Sequence, residues 1–141
     1  MNIFYLDRNP EIAAQMMCDK HVVKMILESA QMLSTAHRVL DGDGYANKYG
    51  LYKSTHKNHP SAIWARTNGE NYVWLWNHFD ALMSEYTYRY GKQHKTERYG
   101  GRYTNVQTTL IMIPNLLILH NVCLIHVRVA MLCQHIKLTI Y

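Results

Sequence analysis

The sequence predicts a mostly α-helical single domain with a short N-terminal β-strand, two long helices and an atypical hydrophobic C-terminal tail. Three observations predict it. Residues 10–40 carry apolar side chains at three- and four-residue spacing and are closed by Asp41-Gly42-Asp43-Gly44. Residues 70–90 repeat that spacing with Tyr72, Leu75, Trp76, Phe79, Leu82, Met83 and Tyr86. At 141 residues, 48% hydrophobic and 18% charged, the chain can bury one core and is too apolar to stay unfolded.

Ile3-Phe4-Tyr5-Leu6 is a short apolar run of β-forming residues, read as a strand. Asp7-Arg8-Asn9-Pro10 turns the chain. Asn9 can cap a helix, Pro10 suits its first position, and Glu11 complements the positive helix end. Helix one is expected from about Pro10 to about Leu40, with Val23, Ile26, Leu27, Ala30 and Leu33 as its apolar stripe. Residues 41–59 read as a polar loop containing Tyr45, Lys48, Tyr49, Tyr52, Lys53 and Lys57. Asn58-His59-Pro60-Ser61 opens the next helical region, Asn68-Gly69 breaks it, and a long helix follows to about Tyr90, closed by Gly91. This region is expected to pack on helix one through Ile63, Leu75, Phe79 and Leu82.

The helical core domain is assigned to residues 1–97 and the tail to 98–141. All ten acidic residues lie in 1–97, where eleven Lys/Arg leave a net charge of only +1. The tail has four Lys/Arg and no acid, so the overall +5 is mostly its property. From Leu110 onward the tail is rich in Leu, Ile and Val, has one Pro and no Gly, and is too interrupted for a membrane span. It reads either as a frameshifted or aberrant stretch or as a hydrophobic segment completing the core. No charged n-region followed by an apolar h-region opens the chain, so no signal peptide is expected. Cys18, Cys123 and Cys133 are odd in number and far apart, which argues against a disulfide framework and for a reducing cytoplasm.

Chemistry concentrates in helix one. Lys20, Lys24, Glu28 and Gln31 recur at helical spacing, with His21 at the edge of their stripe. Two amines and a carboxylate on one ridge suit an amine nucleophile or an acid/base pair; the same ridge also suits a solvated face with a Lys24–Glu28 pair. A second group, Asn58, His59, Trp64 and Arg66, stands at a helix N-terminus, where backbone N–H groups attract anions such as phosphate, or where the same residues simply cap and pack. A third possibility is a metal set of Cys18, His21, His56 and His59, weakened because classical fingers pair their cysteines. Tyr86, Tyr88 and Tyr90 interleave with Arg89, Lys92 and Lys95, as a base-stacking surface or a snorkelling helix end would. No Gly-rich phosphate loop, nucleophile elbow or helix-turn-helix pattern is present.

Phe4-Tyr5-Leu6-Asp7, Asp19-Lys20-x-x-x-Lys24-x-x-x-Glu28-x-x-Gln31-Met32-Leu33 and Asn58-His59-Pro60-Ser61-x-x-Trp64 together resemble small phage and bacterial proteins grouped with the pyrimidine-dimer DNA glycosylases, over roughly residues 1–95. That resemblance implies a compact helical enzyme without a metal or cofactor. It also implies a nucleophilic α-amino group, from an N-terminal Thr, assisted by a helix-borne Glu and nearby basic residues. The chain departs by beginning Met1-Asn2, and Asn is too large to expect removal of Met1. The resemblance therefore leaves Met1, Lys20 or Lys24 as the amine and Glu28 as its partner. His21, Gln31, Lys53, Lys57, Asn58, His59, Trp64 and Arg66 are the expected nucleic-acid contacts. The expected partner is DNA, with no membrane, in the cytoplasm of a bacterial or phage-infected cell. Two rival readings are a non-catalytic phage module that binds nucleic acid or protein, and a metal-dependent hydrolase.

Overall fold

The computed structural model describes residues 1–102, with side chains through 98. The expectations for the hydrophobic tail lie outside these residues. Five α-helices fold in the order α1 (Pro10–Gln15), α2 (Asp19–Leu40), α3 (Asp43–Lys48), α4 (Pro60–Thr67) and α5 (Gly69–Tyr90), followed by a 3-10 segment, Lys95–Arg102. α2 and α5, each of 22 residues, pack on one another. α1 lies on α5, α4 lies against both long helices, and α3 lies against α2.

The N-terminal strand is not formed, and no strand occurs among the described residues. A strand needs a neighbour to complete its hydrogen-bond ladder, and residues 1–7 run beside helices instead. Their apolar side chains still go inside: Ile3 and Phe4 are buried, and Tyr5 stacks on Trp74 with ring centroids 4.4 Å apart. β-type composition thus drove burial without pairing.

Helix one is two helices. Cys18 is extended, at φ −72° and ψ 157°, and separates α1 from α2. Arg89 of α5 explains why the break is stable. Its guanidinium donates to the carbonyls of Gln15 and Met17, at 3.1 and 2.8 Å, and to Asp19 Oδ1 at 2.8 Å. It thereby satisfies the carbonyls freed where α1 ends and anchors the acidic first turn of α2. Glu85, one turn away, holds Arg89 Nε at 2.7 Å.

The remaining helix ends follow local chemistry. Asn9 Oδ1 accepts from Glu11 N–H at 2.9 Å, Asn68 Oδ1 from Asn71 N–H at 2.8 Å, and His59 Nδ1 from Ser61 N–H at 3.2 Å. Gly91 closes α5 in the left-handed conformation at φ 63°. Within the expected polar loop, α3 is an additional helix, tied down by Arg38, which donates to Asp43 and Asn47 and to the carbonyls of Leu51 and Tyr52.

The buried face of α2 is Val22, Met25, Ile26, Ser29, Ala30, Met32 and Leu33. Val23 and Leu27, expected inside, are 38% and 40% exposed, so the stripe is rotated from the expected one. Leu75, Phe79 and Leu82 of α5 are fully buried as expected, but Ile63 is largely exposed. At the far end, the His37 ring bridges Asp41 Oδ2 (2.5 Å) and Tyr72 Oη (2.6 Å), joining α2 to α5 inside the core. No helix among the described residues is long and apolar enough to cross a membrane.

Candidate active site

Burial of Ile3 and Phe4 pulls the N-terminus onto the middle of α2. There the Asn2 backbone N–H donates to Glu28 Oε2 at 3.0 Å, and the Met1 α-amino nitrogen lies 3.8 Å from the same oxygen. The other carboxylate oxygen, Oε1, is 3.3 Å from Lys24 Nζ, one helical turn earlier. Glu28 is only 12% exposed, whereas Lys24 is 68% exposed. One shielded carboxylate therefore holds two amines, one presented by the chain terminus and one reaching in from solvent.

Two imidazoles complete the cluster. His21 stacks on Phe4 with ring centroids 4.5 Å apart. Burial pulls its pKa below the ordinary range, and the Lys24 cation adds to this while Glu28 opposes it. His59, capping α4, is also lowered, first by burial, then by the N-terminal ammonium and His56, again against Glu28. Both shifts favour the neutral ring. Because His59 Nδ1 accepts from the Ser61 N–H, the proton of its neutral ring is on Nε2.

The structure thus brings Met1, Lys24, Glu28, His21 and His59 together. Lys20 is exposed, one turn before Lys24, and has no ion pair among the described residues. Gln31 is half-buried, one turn beyond Glu28. Lys53 is exposed in the connection between α3 and α4. Trp64 is buried between Tyr5 and Trp74, where it packs the core. Lys57, Asn58 and Arg66 line a separate groove of about 500 Å³. A larger cleft of about 860 Å³, between α1 and α5, shares no lining residue with the Glu28 cluster.

Cys18 occupies the N-cap position of α2 without a side-chain capping bond, and His56 is exposed at φ 45° with its ring hydrogen-bonded to Thr55 Oγ1. Among the described residues, no three His, Cys, Asp or Glu side chains are grouped to hold a metal ion. Two features of the site escaped the sequence reading. The Asn2 amide is a backbone group and leaves no residue signal. Phe4 was legible only as a member of an apolar run, whose burial is what delivers the terminus to Glu28.

The arrangement suits nucleophilic catalysis by an amine. An ammonium must lose a proton before it attacks, and here the Glu28 carboxylate lies 3.8 Å from the terminal amine and 3.3 Å from Lys24 to accept one. A family model described as pyrimidine dimer DNA glycosylase matches residues 1–98. No curated protein and no solved structure matches the chain.

Proposed function

The chain belongs to the pyrimidine dimer DNA glycosylase family, and from that premise we propose that it is a glycosylase and abasic-site lyase in which the Met1 α-amine is the nucleophile and Glu28 its partner. The observation that carries this reading is the 3.8 Å approach of the amine to Glu28 Oε2, with the Asn2 amide fixing the same oxygen. In the proposed step the deprotonated amine attacks C1′ of a damaged nucleotide brought out of the stack. The N–C1′ bond forms as the glycosidic bond breaks, and the bond's electron pair leaves with the pyrimidine. Transfer of one amine proton to the departing pyrimidine and of a second to the sugar ring oxygen, as the C1′–O4′ bond breaks, gives an imine to C1′. Its protonated form acidifies the C2′ hydrogen, so a base can remove that hydrogen while the 3′ phosphate departs.

Glu28 accepts a proton from the ammonium and offsets the positive charge of the iminium. Lys24 draws the carboxylate toward its own side and offers a cation to an approaching phosphate. Lys24 Nζ, at 3.3 Å from Oε1, is the rival nucleophile. Lys20, exposed and distant in register from the carboxylate, is the weaker one.

Borohydride trapping on UV-irradiated and abasic duplex DNA tests the reading. A covalent adduct mapped to the N-terminal peptide is the expected result. An adduct on Lys24 would move the nucleophile along the same cluster. Absence of any adduct would reject the amine mechanism and leave a binding module.

A further inference from the structure

Beside the amine cluster, the α3–α4 connection runs from Ser54 through Lys57 and Asn58 to His59, which feels the charge of the N-terminal ammonium. Lys57 and Asn58 turn toward a groove whose other walls are Arg38 of α2, Asp43 of α3 and Arg66 of α4. The charges in this groove are unbalanced. Arg38 is neutralised by Asp43 at 2.7 Å and spends its other donors on Asn47 and on the carbonyls of Leu51 and Tyr52. Lys57 and Arg66 have no such partner, which leaves an excess of two positive charges.

Arg66 is the decisive group. Its Nη1 is buried and has no hydrogen-bond partner. A guanidinium N–H withdrawn from water without an acceptor is costly, and an anion drawn into the groove is one group that would satisfy it. The planar fork of Arg66 suits two oxygens of a phosphate, Lys57 supplies a point charge, and Asn58 and Ser54 supply neutral donors. A carboxylate ligand would need no second cation.

We propose that this groove is a phosphate-binding subsite, built on Arg66 and Lys57, that seats a backbone phosphate of the DNA strand whose nucleotide is presented to the amine. The inference rests on the glycosylase reading only for the identity of the strand. The subsite itself rests on the groove and its unpartnered guanidinium. Its role is to position the strand, so losing it weakens binding.

The test compares the full chain with Lys57→Gln, Arg66→Gln and the double variant. Lys57 is exposed, so its substitution leaves the fold intact. Binding to a short undamaged duplex is measured across salt concentration, and adduct yield is measured at limiting damaged DNA. Each substitution is expected to lower the slope of log affinity against log salt by about one, and the double variant by about two. Adduct yield at limiting damaged DNA should fall in step with the affinity. An unchanged slope, with inorganic phosphate raising the unfolding midpoint of the parent but not of the double variant, would keep the phosphate site and overturn its DNA occupant. Unchanged slope and no phosphate effect would overturn the proposal. A parent chain that gives no adduct but shows the expected slopes would sink the glycosylase mechanism and leave this subsite standing.

Discussion

The Asn2 backbone amide and the Glu28 carboxylate meet at 3.0 Å across 26 residues of sequence. This contact orients Glu28 so that one oxygen serves the chain terminus while the other serves Lys24. A carboxylate held by a backbone donor cannot swing away on the rotamers open to a surface glutamate. That distinguishes the pair from an ordinary i,i+4 salt bridge on a helix face.

Glu28→Gln is expected to lower turnover by about two to four orders of magnitude, the usual worth of a positioned acid/base group. Gln keeps an oxygen for the Asn2 N–H, so the fold and the approach of the terminus survive. Affinity for damaged DNA should stay near that of the parent. Single-turnover kinetics beside a binding titration check this, and undiminished turnover would reject Glu28 as the amine's partner.

Extending the chain by two residues ahead of Met1 converts its amine to an amide and displaces the new terminus from Glu28. Adduct formation should be lost, while Lys24→Gln should retain it at reduced rate. The outcome is read by borohydride trapping and peptide mapping. Loss of the adduct in Lys24→Gln but not in the extended chain would reverse the assignment of nucleophile.

Arg89→Leu is expected to destabilise the fold by about 3 kcal/mol, the scale on which a shielded pair loses one partner. The variant strands Glu85, leaves Asp19 without its Arg89 contact, and frees the carbonyls of Gln15 and Met17. Arg89→Lys should recover little, because a single ammonium cannot reach four acceptors in two directions. Urea denaturation measures both, and an Arg89→Lys midpoint equal to the parent's would refute the fork geometry as the cause.

The Arg89 network also shows where sequence reading stops. Pro10, Asn9, His59, Asn68 and Gly91 mark helix ends through chemistry within a few residues, and each was legible. The break at Cys18 is held by a side chain some seventy residues away, so the local pattern ran on as one helix. α3 was missed for the same reason: a six-residue helix has almost no periodicity of its own, and Arg38 from outside fastens it. The site divides in the same way. The Lys24–Glu28 spacing is local and visible, whereas the arrival of Met1 and Asn2 depends on where Ile3 and Phe4 are buried.

Acid sensitivity follows from His78 in α5. Its Nδ1–H donates to the Pro10 carbonyl at 3.0 Å, and its Nε2 is buried without a partner. Protonation would bury a second N–H with no acceptor, and burial accordingly pushes the pKa down to about 4. The folded value lies below the unfolded one of about 6.5. Between the two, the unfolded chain binds the extra proton and the folded chain does not. The stabilising contribution is therefore complete above pH 6.5 and lost as pH falls toward 4, at up to about 1.4 kcal/mol per pH unit and about 3 kcal/mol in all. His21, His59 and His94 are also lowered and act in the same direction, so some slope persists without His78. His78→Phe keeps a ring against Trp74, where His78 stacks at 4.8 Å, and removes the titration. Unfolding free energies measured from pH 7 to pH 4 should fall less steeply in the variant than in the parent, and parallel curves would show that His78 is not the buried base responsible.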